Sequence, residues 1–337
     1  MESFLEQTSS LFYHCYNIRI VATNNTIFDA WPNAIIRNNL LYAADKIILD
    51  NKVTLRQQID QLPLKKTHPF CNELMSGFPR GYRIIISNID VNNQNIVLKK
   101  GNIFSFSIYL VGSMNKYCTH FFDAIRLMCK NGLGHPQIPF LLIDIEEKGP
   151  CKESQIMATG EVNIAEIPCY PFRLTDYLSF RAQGNEKKIR INYKTPTNLI
   201  RPIQKKDKQL SYQDKCNLFP GFYQLVRSAA YRVEKLVLLF CHPEDTEKAL
   251  NVRECIESYL ERAGTPILHI TNIQQIQLKN TLKKEKINDK PLTGYVGELV
   301  FDGYFNMYLP LLKFMEELGV GNDLVYGLGR YGVEIGE

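Results

Sequence analysis

The sequence predicts an α+β chain made of two tandem domains of βαββαβ order. Three observations predict this. The chain has 337 residues, more than one small core needs. Each half runs through strands and two helical stretches in the same broad order. Each half also places a glycine turn just after its last helix, Gly132-Leu133-Gly134 in the first and Gly319-Val320-Gly321 in the second. Apolar residues make up 45% of the chain, enough for a core in each half. The expected division is a first domain over residues 1–147, a connector over 148–186 and a second domain over 187–337.

The elements follow in chain order. Leu11 to Thr23 is β-branched and aromatic, which predicts a strand. Pro32 opens a helix, where its missing N–H costs nothing. That helix is expected to run to about Leu49, with Ile36, Leu40, Ala43, Ala44 and Ile47 on one face and Asn38, Tyr42 and Asp45 on the other. A long polar loop follows. Tyr82 to Ile89 reads as a strand, and Ile103 to Val111 as another, with Phe104, Phe106, Ile108 and Leu110 alternating onto one face. Tyr117 to Lys130 is a helix stopped by the glycine turn, and Phe140 to Glu146 is a strand. In the connector, Pro168 and Pro171 argue against a long helix. The second half gives a strand at Lys188 to Tyr193, helices at Phe219 to Phe240 and Asp245 to Ala263, and a strand at Gly294 to Tyr304. A helix at Tyr308 to Leu318 then leads through a glycine-rich turn to a last strand. Two such halves make tandem ferredoxin-like domains.

Charge narrows the function. The formal net charge is only +5, but the cations cluster. Arg181, Lys187, Lys188, Arg190, Lys194, Arg201, Lys205, Lys206 and Lys208 face only Glu186 and Asp207 over the same stretch. Lys283, Lys284 and Lys286 form a second run. Such clustering is the footprint of a phosphate-rich partner, or else a solvated basic face. The nine cysteines contain no CxxC pair, which reads as reduced thiols in a cytoplasmic protein and excludes a structural zinc site of clustered Cys and His. No apolar run reaches eighteen residues, so no membrane span is expected.

The C-terminal residues carry a resemblance. Gly294-Tyr-Val-Gly-Glu-Leu-Val-Phe301, Pro310-Leu-Leu312, Gly319-Val-Gly321 and Tyr326-Gly-Leu-Gly-Arg-Tyr331 stand in the order of a family signature. Thr195-Pro196-Thr197 with Leu199 upstream, and Val111-Gly112 with Gly132-Leu133-Gly134 in the first half, extend the set. The chain resembles the CRISPR repeat-RNA processing endoribonucleases ("Cas six" type) of the RAMP superfamily. It matches neither a P-loop, which ends in GK[ST], nor a dinucleotide fingerprint. The resemblance implies two ferredoxin-like domains of the RAMP and RRM kind, with CRISPR repeat RNA, hairpin or single-stranded, across their junction. It also implies cleavage by the substrate's own 2′-hydroxyl, leaving a 2′,3′-cyclic phosphate, with neither metal nor cofactor. Other CRISPR-associated proteins are expected partners. The rival readings are a non-cleaving RNA-binding subunit of a CRISPR effector complex and a protein-interaction subunit whose basic face meets an acidic partner.

RNA self-cleavage needs a base for the 2′-hydroxyl, an acid for the leaving 5′-oxygen and a cation beside the phosphorane. The resemblance places these groups on the first helix and the segment after it. Tyr42, His68 and Arg80 have the matching order and chemistry, histidine because its ordinary pKa of about 6.5 suits proton transfer. His14, in the first strand, is the rival histidine, and His120 and His135 are weaker candidates. Lys46 and Lys52 stay in play because some relatives work without a catalytic histidine, and they are also expected to touch RNA. Lys187, Lys188, Arg190, Lys194, Arg201 and Arg330 are the expected phosphate contacts. The N–H groups of Gly327 and Gly329 are expected to approach phosphate closely. Tyr193, Tyr326 and Tyr331 are candidates for base stacking or for core packing.

Overall fold

The computed structural model describes residues 2–61, 79–86, 91, 95–165, 167–180, 188–199, 221–261, 266–278 and 292–336. The first half contains α1 (Glu2–Gln7), β1 (Phe12–Ala22), β2 (Thr26–Phe28), α2 (Pro32–Ala44), α3 (Leu55–Asp60) and β3 (Tyr82–Ile85). It continues with β4 (Ile96–Leu98), β5 (Ile103–Val111), α4 (Cys118–Asn131) and β6 (Phe140–Lys148). Three short strands follow, β7 (Ser154–Thr159), β8 (Val162–Asn163) and β9 (Phe172–Arg173). The second half contains β10 (Lys188–Thr197), α5 (Phe222–Phe240), α6 (Thr246–Glu261), β11 (Ile267–Leu278), β12 (Leu292–Asp302), α7 (Leu309–Leu318) and β13 (Tyr331–Gly336).

Both sheets have the ferredoxin-like order. In the first, β3-β5-β1-β6 puts the second, third, first and fourth strands of the βαββαβ unit side by side; in the second, β11-β12-β10-β13 does the same. All these pairs are antiparallel. The first sheet grows beyond the unit. β7 and β8 extend it past β6, and β9 bonds Phe12 and Tyr13, the end of β1 that β6 does not reach. Thus residues 154–173, read from sequence as part of a connector, contribute strands to the first sheet.

Alternation along β1 explains the layers. Tyr16, Ile18 and Ile20 lie opposite Ile108, Phe106 and Phe104 of β5, and this face packs under α2 and α4. The other face carries Tyr13 and, across the pair, Tyr109. There Tyr13 stacks on Phe172 at 4.9 Å and meets Phe314 of α7 at 5.3 Å. A helix of the second domain therefore covers part of the first sheet, and one continuous apolar core runs through both halves.

Three sequence expectations need correction. α2 stops at Ala44, not near Leu49: the Lys46 and Ile47 N–H groups turn to Ala43 and Ala44, and Ile48 then bridges Thr54. The following polar loop holds α3, capped by reciprocal bonds between Thr54 and Gln57. β11 was not expected at all. Among the described residues, no helix is long and apolar enough to cross a membrane.

Candidate nucleic-acid interface

The first turns of α2 are docked on the second domain. Trp31, fully buried, donates its indole N–H to the Tyr326 carbonyl at 2.6 Å. The Arg37 guanidinium lies 4.7 Å above the Tyr326 ring. Asn33 donates to the Ile84 carbonyl at 3.0 Å. The glycine-rich turn that receives the helix is held from within. Its Gly327 N–H donates to the Leu324 carbonyl, and the Gly329 N–H to Pro196, both at 3.0 Å. The Gly327 carbonyl accepts from the Thr195 hydroxyl at 3.1 Å. These two N–H groups are therefore committed inside the protein, contrary to the expectation that they meet phosphate. Glycine is required at Gly327 because its φ is +75° and a Cβ there would lie 2.0 Å from Asn33 Nδ2.

Arg83, at the neighbouring edge, strengthens the seam. Wholly buried, it donates to the backbone carbonyls of Glu317 and Leu328, the latter at 2.7 Å. Burial pushes its guanidinium down to about 10, against the opposing pull of Glu317. The Glu317 carboxylate accepts from Tyr109 at 2.8 Å and faces Arg330 at 3.6 Å. Arg330 is thus part-buried in the seam.

Beyond the seam, α2 turns its polar side to solvent. Tyr42 is 58% exposed, with the Lys46 ammonium 5.6 Å from its ring centre. Lys52 is exposed in the turn before α3. A cavity of about 220 Å³ lies beside this side of α2, between Asn38 and Asn39 and the Gly132–Gly134 turn. The same turn continues into His135, whose side chain is exposed. Arg80 meets Asp60 at 3.2 Å, and Asp60 is shared with Arg56 at 3.5 Å. Arg56 in turn holds Asp45 at 2.8 Å. The charge of Arg80 is therefore engaged in an alternating ion-pair chain along α3.

His14 is placed differently. It is 5% exposed, and its Nδ1 lies 2.6 Å from Glu147 Oε1. Glu147 also accepts from the N–H groups of Cys169 and Tyr170 at 2.8 and 3.0 Å. Burial alone would raise the Glu147 carboxyl; the bonds from His14 and these two N–H groups outweigh it and hold the carboxyl below its ordinary range. His14 thus ties β1 to β6 and the chain after it. His68, Lys187 and Arg201 lie outside the described residues.

On the second sheet, Ile189, Ile191 and Tyr193 point inward, which leaves Lys188, Arg190 and Lys194 outward as the alternation requires. The neighbouring strands add acid. Arg190 faces Glu298 at 3.3 Å and Glu334 at 3.5 Å, so its field is largely matched. Tyr193 and Tyr331 are buried and belong to the core. Sequence reasoning missed Trp31, Arg37 and Arg83. It also missed a polar row on α5, Ser228, Arg232 and Lys235, whose spacing of four and three along one face of the helix was the available signal.

Comparison with known proteins adds the following. Residues 191–331 match the family model described as CRISPR-associated endoribonuclease Cas6. Residues 11–168 match a second model, described as an N-terminal domain. No curated protein sequence matches. Among solved structures, a chain of a partial Cas6-RT-Cas1–Cas2 complex superposes with a TM-score of 0.59 and 12% identity, covering 97% of this chain and 46% of that one. A chain of a Cas6-RT-Cas1–Cas2 complex gives the same TM-score and identity, covering 97% of this chain and 29% of that one. This chain thus spans less than half the length of those relatives. A Thermus thermophilus Cas6 structure gives 0.44 and 9% identity over 96% of this chain and 99% of that one. Over residues 191–331, the chain is therefore similar to the Cas6 family of CRISPR-associated endoribonucleases.

Proposed function

We propose that the protein binds CRISPR repeat RNA and cuts it within the repeat, using the RNA's 2′-hydroxyl as nucleophile and no metal. The match of residues 191–331 to the Cas6 family carries the reading. The fold supports it by locking α2 onto the glycine-rich turn of that same domain, so that the exposed side of α2 is held rigidly at the domain junction. Tyr42 is a positioning group for the reacting ribose or phosphate, and Lys46 beside it supplies positive charge to the phosphorane. His68 is the proposed proton-transfer residue. Lys188, Lys194 and Lys52 contribute phosphate contacts, with a smaller contribution from Arg190. Because chains in Cas6-RT-Cas1–Cas2 complexes share the fold, other CRISPR-associated proteins are proposed partners.

The test is incubation with repeat RNA in EDTA. Cleavage at one position within the repeat is the expected result. Binding without cleavage would favour the non-cleaving subunit, and loss of cleavage on chelation would remove the metal-free mechanism. A binding constant insensitive to salt would remove RNA as the ligand, because phosphate contacts release counterions.

A further inference from the structure

A second cationic site lies on the other side of the domain seam. One face of α5 carries Ser228, Arg232 and Lys235, which line a cavity of about 190 Å³ closed by Pro79 of the first domain and the Gly321–Asn322 turn. The Ser228 hydroxyl already accepts from the Gly321 N–H at 3.0 Å, so its own proton remains to be donated. Arg232 Nε is buried and has no hydrogen-bond partner among the described residues. Among the described residues, no carboxylate lines the cavity. The nearby acids are engaged elsewhere: Glu234 with Arg253 at 3.2 Å, and Glu257 with the Tyr231 hydroxyl at 2.5 Å. Burial pushes the Arg232 guanidinium down to about 9, and Arg83 pushes it the same way. At neutral pH this is still a cation, part-buried with its Nε covered, and without a matching anion among the described residues. Such a group costs stability unless an anion completes it.

We infer that the Ser228–Arg232–Lys235 cavity is the seat of one backbone phosphate of the bound RNA. The inference rests on the RNA-binding reading above. Hydroxyl, guanidinium and ammonium give donors to several oxygens of one tetrahedral group, and Arg is the side chain best suited to phosphate. The volume holds a phosphodiester and a few waters, given about 30 Å³ for each water. Since Pro79 comes from one domain and the three donors from the other, a phosphate seated here fixes the RNA strand at the junction.

The experiment scans the repeat RNA with single methylphosphonate substitutions, each removing one backbone charge, against the full-length protein. One position should weaken wild-type binding about tenfold, the loss expected for a charge-assisted bond. In R232Q/K235Q the RNA should bind more weakly, and the same substitution should then have no further effect. The slope of log K against log salt should fall by about 0.7 in that variant, the value for one phosphate of a single strand. R227Q removes an exposed cation of the same helix that stacks on Tyr231 but does not itself line the cavity, and serves as the control. The inference is overturned if no position loses its effect in R232Q/K235Q, or if R227Q weakens binding as much. It is also overturned if inorganic phosphate raises the melting temperature of wild type but not of R232Q while RNA binding is unchanged, since the cavity then takes a free anion. A wild-type protein that binds no repeat RNA, yet is stabilised by inorganic phosphate through Arg232, would instead place the failure in the functional reading. The scan on wild type needs no variant to fold, and K235Q alone, at a partly exposed position, separates charge loss from misfolding.

Discussion

Gly327→Ala should loosen the seam between α2 and the glycine-rich turn, and the cost can be worked from the structure. At φ +75° an alanine pays about 1–2 kcal/mol for the left-handed backbone. Its Cβ would also lie 2.0 Å from Asn33 Nδ2, which must move off the Ile84 carbonyl it now reaches at 3.0 Å. Losing that bond costs about 0.5–1.5 kcal/mol. The sum is about 1.5–3.5 kcal/mol. Asn33→Ala alone should cost at the low end of the bond's range, because it also removes Asn33 Oδ1, which is buried with no hydrogen-bond partner. In the double variant the side-chain clash is gone and only the backbone penalty stays. The two changes should therefore be less than additive, by about 1 kcal/mol. Denaturant unfolding of the four proteins, at matched m-values, measures this. An additive double variant, or a Gly327→Ala protein within about 0.5 kcal/mol of wild type, would refute the claim that close approach fixes this glycine.

Three other predictions follow. Glu147→Gln should cost about 1.5–3 kcal/mol at neutral pH, the range for bonds to a charged group. The folded Glu147 carboxyl sits below its ordinary value of 4.5, so its stabilisation is present above that value and lost as pH falls through the lowered one. Denaturation at pH 7 and pH 3.5 should show the gap between wild type and Glu147→Gln closing in acid. Lys194→Ala should lower the salt slope of RNA binding by about 0.7–0.9. Arg190→Ala should lower it less, because Glu298 and Glu334 already face that arginine; equal slopes would count against the charge matching. Tyr42→Phe should slow cleavage without changing the melting temperature, since the phenol is largely exposed, and His68→Ala should slow it by about 10²- to 10⁴-fold.

Much of the fold was legible because burial imposes a period. β1, β5, α4 and α7 each carry an apolar face at the spacing of their own geometry, and the sequence shows it directly. β11 was not legible for a physical reason. Its register shifts between Ile270 and Asn272, so the apolar alternation breaks in mid-strand, and its second half carries exposed glutamines. The end of α2 was overrun because the turn after it also buries Leu49, which prolongs the apolar pattern beyond the helix. The basic outer face of β10 was legible, but the acids opposite Arg190 come from strands more than a hundred residues away in sequence. The seam was invisible for the same reason: Trp31 meets Tyr326, and Arg83 meets Glu317 and Leu328, by tertiary contact alone. The glycines of the turn were read correctly as conformational necessities. Their N–H groups were assigned to phosphate because sequence shows which residues can adopt a turn, not which carbonyls its donors will find.

Substitution of the substrate tests the central claim most directly, since the nucleophile is held to belong to the RNA. Repeat RNA carrying a single 2′-deoxyribose at the cut nucleotide should bind the protein with unchanged affinity and remain uncut in EDTA. The all-ribose RNA should be cut under the same conditions, to a 2′,3′-cyclic phosphate and a 5′-hydroxyl. Cleavage of the deoxy substrate at the normal rate, or a 5′-phosphate on the downstream product, would contradict the mechanism.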